Sequence, residues 1–112
     1  MILDILVTVP KTEIENTEKE NAFCQLYGDA VQFWAIPRKP KNLNIGDRVY
    51  FIKNGFIVNY NIFIGFVYDP VCEVTGRVWR GLNLLLKCPA ITLNNPIKKS
   101  SFRGFHYIER IE

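Results

Sequence analysis

The chain has 112 residues, of which 48% are apolar and 13% aromatic, with a formal net charge of +3. These values exclude a disordered polyelectrolyte and leave room for one domain, residues 1–112, without a second independent core. The charge is unevenly spread. Residues 1–30 hold Lys11 and Lys19 against Asp4, Glu13, Glu15, Glu18, Glu20 and Asp29, a net −4, whereas residues 31–112 sum to +7. A basic body behind an acidic N-terminal segment points toward a polyanionic partner, although ordinary solubilising charge would look the same.

Alternating apolar residues in ILDILVTV (2–9) predict a first strand, ended by Pro10. A short helix is expected over 17–28, with Thr17 and Glu20 spaced as a capping box and Glu18 and Glu20 complementing the helix dipole. Its apolar face would be Ala22, Phe23, Leu26 and Tyr27, and Gly28 its stop. From Val31 onward the pattern is β. VQFWAI (31–36) and RVYFIK (48–53) read as strands, and Asn54-Gly55 is a strong type I′ hairpin signal. The returning strand places Phe56, Val58, Tyr60, Ile62, Ile64 and Phe66 on one face. Asn59, Asn61 and Gly65 form a polar strip on the other, which can face solvent, mark a bend or line a ligand groove. LNLLLKC (82–88) is a strand stopped by Pro89, residues 89–101 a loop, and FRGFHYIERI (102–111) the last strand. The expected fold class is therefore mainly β (α+β): a small bent sheet or barrel of about six strands with one short N-terminal helix.

The opening segment lacks the basic n-region of a signal peptide, and Asp4 and Pro10 interrupt its apolar run. No stretch reaches the roughly 18 apolar residues of a spanning helix, so a soluble, cytoplasmic protein with no membrane partner is expected. Cys24, Cys72 and Cys88 show no CxxC spacing. They read as buried free thiols, the alternative being Cys72, Cys88 and His106 as metal ligands. No cofactor is implied. His106, the single histidine, lies in a predicted strand and reads as structural rather than as a general base. Nucleophile elbows, P-loops and dinucleotide fingerprints are absent, and no catalytic residue is nominated.

Cations beside aromatic rings form a more informative pattern, because cations hold phosphates while flat rings accept unstacked bases at about 1–3 kcal/mol per stack. Three clusters qualify: Trp34 with Arg38, Lys39 and Lys41; Arg77, Trp79 and Arg80; and Lys98, Lys99, Phe102, Arg103 and Phe105. From these the nominated contacts are Trp34, Arg38, Lys39, Lys41, Trp79, Arg80, Phe102 and Arg103. Either tryptophan could equally be core. Arg77 and Arg80, three apart on an extended segment, point to opposite faces, so at most one shares the surroundings of Trp79. Pro37 and Pro40 stiffen the first cluster, which suits either a pre-ordered phosphate contact or a guarded sheet edge.

In their order along the chain, Trp34-Ala35-Ile36-Pro37-Arg38, Gly46-Asp47-Arg48-Val49-Tyr50-Phe51, Asn54-Gly55, Trp79 and Phe102-Arg103-Gly104-Phe105-His106-Tyr107 resemble the PUA-like superfamily, especially its ASCH and EVE branches. The resemblance covers roughly residues 31–110. It implies a small β-barrel that binds RNA, or a modified base, in a cleft beside the barrel. Some ASCH members are amidohydrolases of acetylated cytidine. Their Gly-x-Lys-x-x-Glu-x-Arg signature is absent here, so no catalytic residue carries over. The alternatives are a small amidohydrolase of modified nucleosides on the same fold and a protein-interaction module.

Overall fold

The computed structural model describes residues 2–27, 31–71 and 76–111, the side chains of 23–27 and 89 excepted. Strand β1 (Leu3–Thr8) leads through a 3₁₀ turn (Lys11–Glu13) into helix α1 (Ile14–Tyr27), then β2 (Val31–Ala35), β3 (Arg48–Lys53), β4 (Phe56–Tyr68), β5 (Leu82–Lys98) and β6 (Phe105–Glu109). They form one six-stranded sheet in the order β2-β5-β4-β3-β1-β6. The protein is thus mainly β with one short helix, as its sequence predicts. β2 and β6 are the sheet's edges and do not pair with each other, so the sheet is bent rather than closed.

β1 and β3 run parallel, with Ile5 opposite Val49 and Val7 opposite Phe51. Their connection is the long crossover through α1 and β2 that a parallel pair requires. Both strands are buried on both sides. Ile5, Val7, Val49 and Phe51 join Phe63, Leu84, Leu86 and Phe105 in the larger core. Leu6, Tyr50 and Ile52, on the opposite face, pack with Ile57 and Leu93. Burial on two sides explains why these segments read as nearly unbroken apolar runs. β3 and β4 are joined at Asn54 (φ 52°) and Gly55 (φ 81°), the two positive φ values of a type I′ turn.

A buried ion pair ties the chain's ends together. Asp4, fully buried, accepts Arg110 Nε (3.1 Å) and Nη2 (2.9 Å) and the Arg48 amide (2.8 Å). The hydrogen bond to Asp4 is the main reason the Arg110 pKa lies above its usual value.

Four expectations need correction. The helix starts at Ile14 rather than at Thr17, whose hydroxyl instead donates to the Ile14 carbonyl inside the helix (2.8 Å). The 3₁₀ turn after Pro10 brings the chain into helical geometry early, leaving Thr17 no cap to make. Ala22 is exposed, and the expected stop Gly28 lies outside the described residues. β5 continues to Lys98 instead of stopping before Pro89. It does so because Pro89 and Pro96 fall where its register against β4 shifts, between the Ile62–Lys87 and Tyr60–Ile91 pairs and between the Asn59–Thr92 and Ile57–Ile97 pairs. At such irregularities a missing N–H costs little. Lastly, Cys88 is disulfide-bonded, not a free thiol, so its sulfur is unavailable to the metal set considered with Cys72 and His106. Cys72 and the side chain of Cys24 lie outside the described residues, among which no group of metal-ligating side chains occurs.

Candidate nucleic-acid interface

A cleft of about 630 Å³ opens where the end of β1, the middle of β2 and the approach to β6 meet. Its lining is Thr8, Pro10, Glu13, Trp34, Ala35, Pro37, Arg77, Trp79, Phe102, Arg103 and Gly104. The volume lies in the roughly 300–1,000 Å³ range of small-molecule sites. Trp34 stands on β2 opposite Leu84, its ring edge-on to Phe51 at 5.2 Å and 6.2 Å from Trp79. Phe102 is placed by its amide, which donates to Thr8 Oγ1 (3.2 Å), and its ring stacks on exposed His106 at 3.8 Å.

Trp79 belongs to an excursion between β4 and β5. The base of that excursion is closed by Asp69 N to Gly81 O (3.0 Å), Gly81 N to Asp69 Oδ1 (2.6 Å) and Trp79 N to Pro70 O (2.8 Å). Asn83, fully buried, donates its Nδ2 to the carbonyls of Trp79 (2.9 Å) and Gly81 (3.1 Å). The tryptophan is therefore held by a side chain that never reaches the cleft. Trp79 is 8% exposed, and its Nε1 donor has no hydrogen-bond partner. A buried orphan donor costs about 1–3 kcal/mol.

The charges at the cleft differ in what they face. Arg77 lies 3.8 Å over the Trp79 ring and 2.7 Å from Glu13 Oε2, so it stiffens one wall. Arg103 is exposed, with neither a carboxylate nor a ring against it among the described residues. That leaves a cation at the mouth for an anionic ligand.

The proline-rich connector after β2 performs a structural task. Ile36 and Leu43 are buried in the larger core and Pro40 is also buried, so alternate parts of the segment are held down. Between them Arg38 lies 4.8 Å over Phe105, Lys39 is 5.2 Å over Phe66, and the Asn42 amide donates to Tyr107 Oη (3.2 Å). The connector thus lies across the span between the two unpaired edges, touching β6 where β2 does not. Of this segment only Pro37 lines the cleft.

Behind Trp34 lies a second space of a different kind. A narrow cavity of about 20 Å³ lies between α1 and the sheet and is lined by Thr17, Glu20, Asn21, Gln32, Trp34, Lys53, Asn59 and Asn61 among others. The strip of asparagines on β4 therefore faces inward, toward the helix. Asn61, 2% exposed, donates its Nδ2 to Gln32 Oε1 and the Lys87 carbonyl, each at 3.1 Å. Asn21 Oδ1 accepts from the Ala90 amide (2.8 Å). Glu20 Oε1 and Asn59 Oδ1 have no partner. Burial raises the Glu20 pKa, opposed by the charge of Arg77 and reinforced by Glu13, and burial lowers that of Lys53. The volume holds about one water, whose two hydrogens match two acceptors.

Of the nominated residues, Trp34, Trp79, Phe102 and Arg103 meet at the cleft. Arg38 and Lys39 are turned to rings of the sheet, while Lys41 and Arg80 are exposed and do not line it. Arg77, not Arg80, shares the surroundings of Trp79. Thr8, Pro10 and Glu13 were not nominated, because nothing local marks the end of β1 as the neighbour of residues 102–104. No family model, curated protein or solved structure matches the chain.

Proposed function

We propose that the protein is a PUA-like, ASCH- or EVE-type module that binds nucleic acid, RNA or a modified base, by admitting one unstacked base to this cleft. The observation carrying the reading is the lining itself: Trp34, Trp79 and Phe102 around one space, with the unpaired cation of Arg103 at its mouth. Stacking rings supply affinity for any base. Binding to short single-stranded RNA and DNA, read by fluorescence anisotropy at low and moderate salt with tryptophan quenching alongside, tests it. Salt-sensitive binding that quenches tryptophan and weakens in Arg103→Glu is expected. Absence of binding at low salt would overturn the reading.

One observation favours a hydrolase: Glu20 and Lys53, with pKa values shifted by burial, line the same cavity. Its volume of about 20 Å³ stands against this, because a nucleoside cannot enter. Assay of deacetylation of an acetylated cytidine by wild type and Lys53→Met separates the two. Among the described residues no helix is long and apolar enough to cross a membrane. A nucleic-acid partner accords with a cytoplasmic protein.

A further inference from the structure

The cleft does not end at Thr8 and Pro10. On their far side the surface sinks again into a depression of about 420 Å³, bounded by Lys11, Asn54, Gly55 and Ser101. Thr8 and Pro10 line both spaces, which makes them the sill between two compartments of one groove. Their chemistry differs. The first compartment is walled by rings; the second has no aromatic side chain and no carboxylate in its lining.

Its rim is basic. Lys11 is exposed on the 3₁₀ turn. Lys98 pairs with Phe56 beside the hairpin turn, and the Lys99 amide donates to the Gly55 carbonyl (2.9 Å), so the backbone of both lysines adjoins the wall, outside its lining. Among the described residues none of the three has a carboxylate or ring against its ammonium group. The cations on the other side of the cleft are differently placed, with Arg38 and Lys39 over Phe105 and Phe66. A further depression near Asn42 shares no residue with the cleft and carries the Asp47 carboxylate, which repels phosphate.

We propose that this second compartment is the phosphate channel of the cleft: a single strand that places one base among the rings lays its adjoining phosphodiester over Thr8 and Pro10 toward Lys11, Ser101 and Lys99. The inference rests on the base-binding reading of the cleft and adds the direction in which the strand leaves. Unpaired ammonium groups suit the diester as mobile point charges, and each phosphate contact contributes about 0.7 to the slope of log K against log salt for a single strand.

The test is a titration of a phosphate-free nucleoside and a single-stranded hexanucleotide RNA against wild type, a Lys11→Gln/Lys99→Gln variant and a Lys19→Gln/Lys87→Gln control. All four lysines are exposed, so each variant should keep the wild-type circular dichroism spectrum. The expected result is unchanged nucleoside affinity in every protein. Hexanucleotide affinity falls only in the Lys11/Lys99 variant, with the salt slope reduced by about 1.4. Equal loss in both lysine variants, or none in either, overturns the channel while leaving the cleft reading intact. Nucleoside binding without any gain for the hexanucleotide also overturns it. Failure of wild type to bind either ligand removes the cleft reading and the channel with it.

Discussion

The cleft and the narrow cavity share one lining residue, Trp34, yet the chemistry on its two sides is opposed. On the cavity side, α1 presents Thr17, Glu20 and Asn21 to Gln32, Asn59 and Asn61, and nearly every gap is filled. On the cleft side, rings and arginines surround about 630 Å³ open to solvent. Both contain orphaned polar atoms: Glu20 Oε1 and Asn59 Oδ1 in one, Trp79 Nε1 in the other. What separates them is room. About 20 Å³ between two acceptors holds one water, whereas about 630 Å³ lies in the range of small-molecule sites. Perturbed pKa values alone would have selected the smaller of the two.

The comparison is broken most forcefully at the dividing wall. Trp34→Ala removes the ring packed on Phe51 and Trp79 and merges the two spaces. Because Trp34 is half-buried, the loss is expected at the lower end for such a truncation, about 3 kcal/mol by urea unfolding, accompanied by loss of base binding. Next is Asn83→Ala, which leaves the Trp79 and Gly81 carbonyls without that donor. A cost of about 1–3 kcal/mol is expected. Its characteristic sign would be binding weakened by more than the fraction unfolded explains, since the Trp79 wall loosens in folded molecules too.

A smaller effect sharpens the cavity side. Burial holds the Glu20 pKa above its ordinary 4.5, so the folded state keeps this proton more tightly than the unfolded state. Stability from this group is therefore present at low pH and lost as pH rises from 4.5 through the raised value. Glu20→Gln should be more stable than wild type at pH 7, with the difference shrinking toward pH 4, measured as urea midpoints across that range. Base binding should be unaltered, since Glu20 does not line the cleft. The smallest effect on the fold is expected from Arg103→Glu, within about 0.5 kcal/mol of wild type. The same substitution should weaken oligonucleotide binding and flatten its salt dependence, separating affinity from stability on the cleft side.

Much of this could be read from the residues because it depends on neighbours in sequence. The strands at residues 2–9 and 48–53, the Asn54-Gly55 turn and the count of strands follow from local chemistry. Three features did not. Thr17 and Glu20 have the spacing of a capping box, but a 3₁₀ turn upstream starts the helix earlier and turns Glu20 inward. Pro89 reads as a stop until register shifts against β4 give it a tolerated place. Nothing local in the connector shows that Arg38 and Lys39 come to lie over Phe105 of β6 and Phe66 of β4.

The sequence by itself determined the elements and the aromatic and basic composition of the body, because propensity, turn chemistry and alternation act over a few residues. Only the tertiary structure decided that Thr8, Trp34, Trp79 and Phe102 share one cleft and that Asn59 and Asn61 share a cavity with Glu20. Those meetings depend on which strands pair and on which face a helix covers. Such choices are settled by burying apolar area across the whole chain, and no local pattern records them.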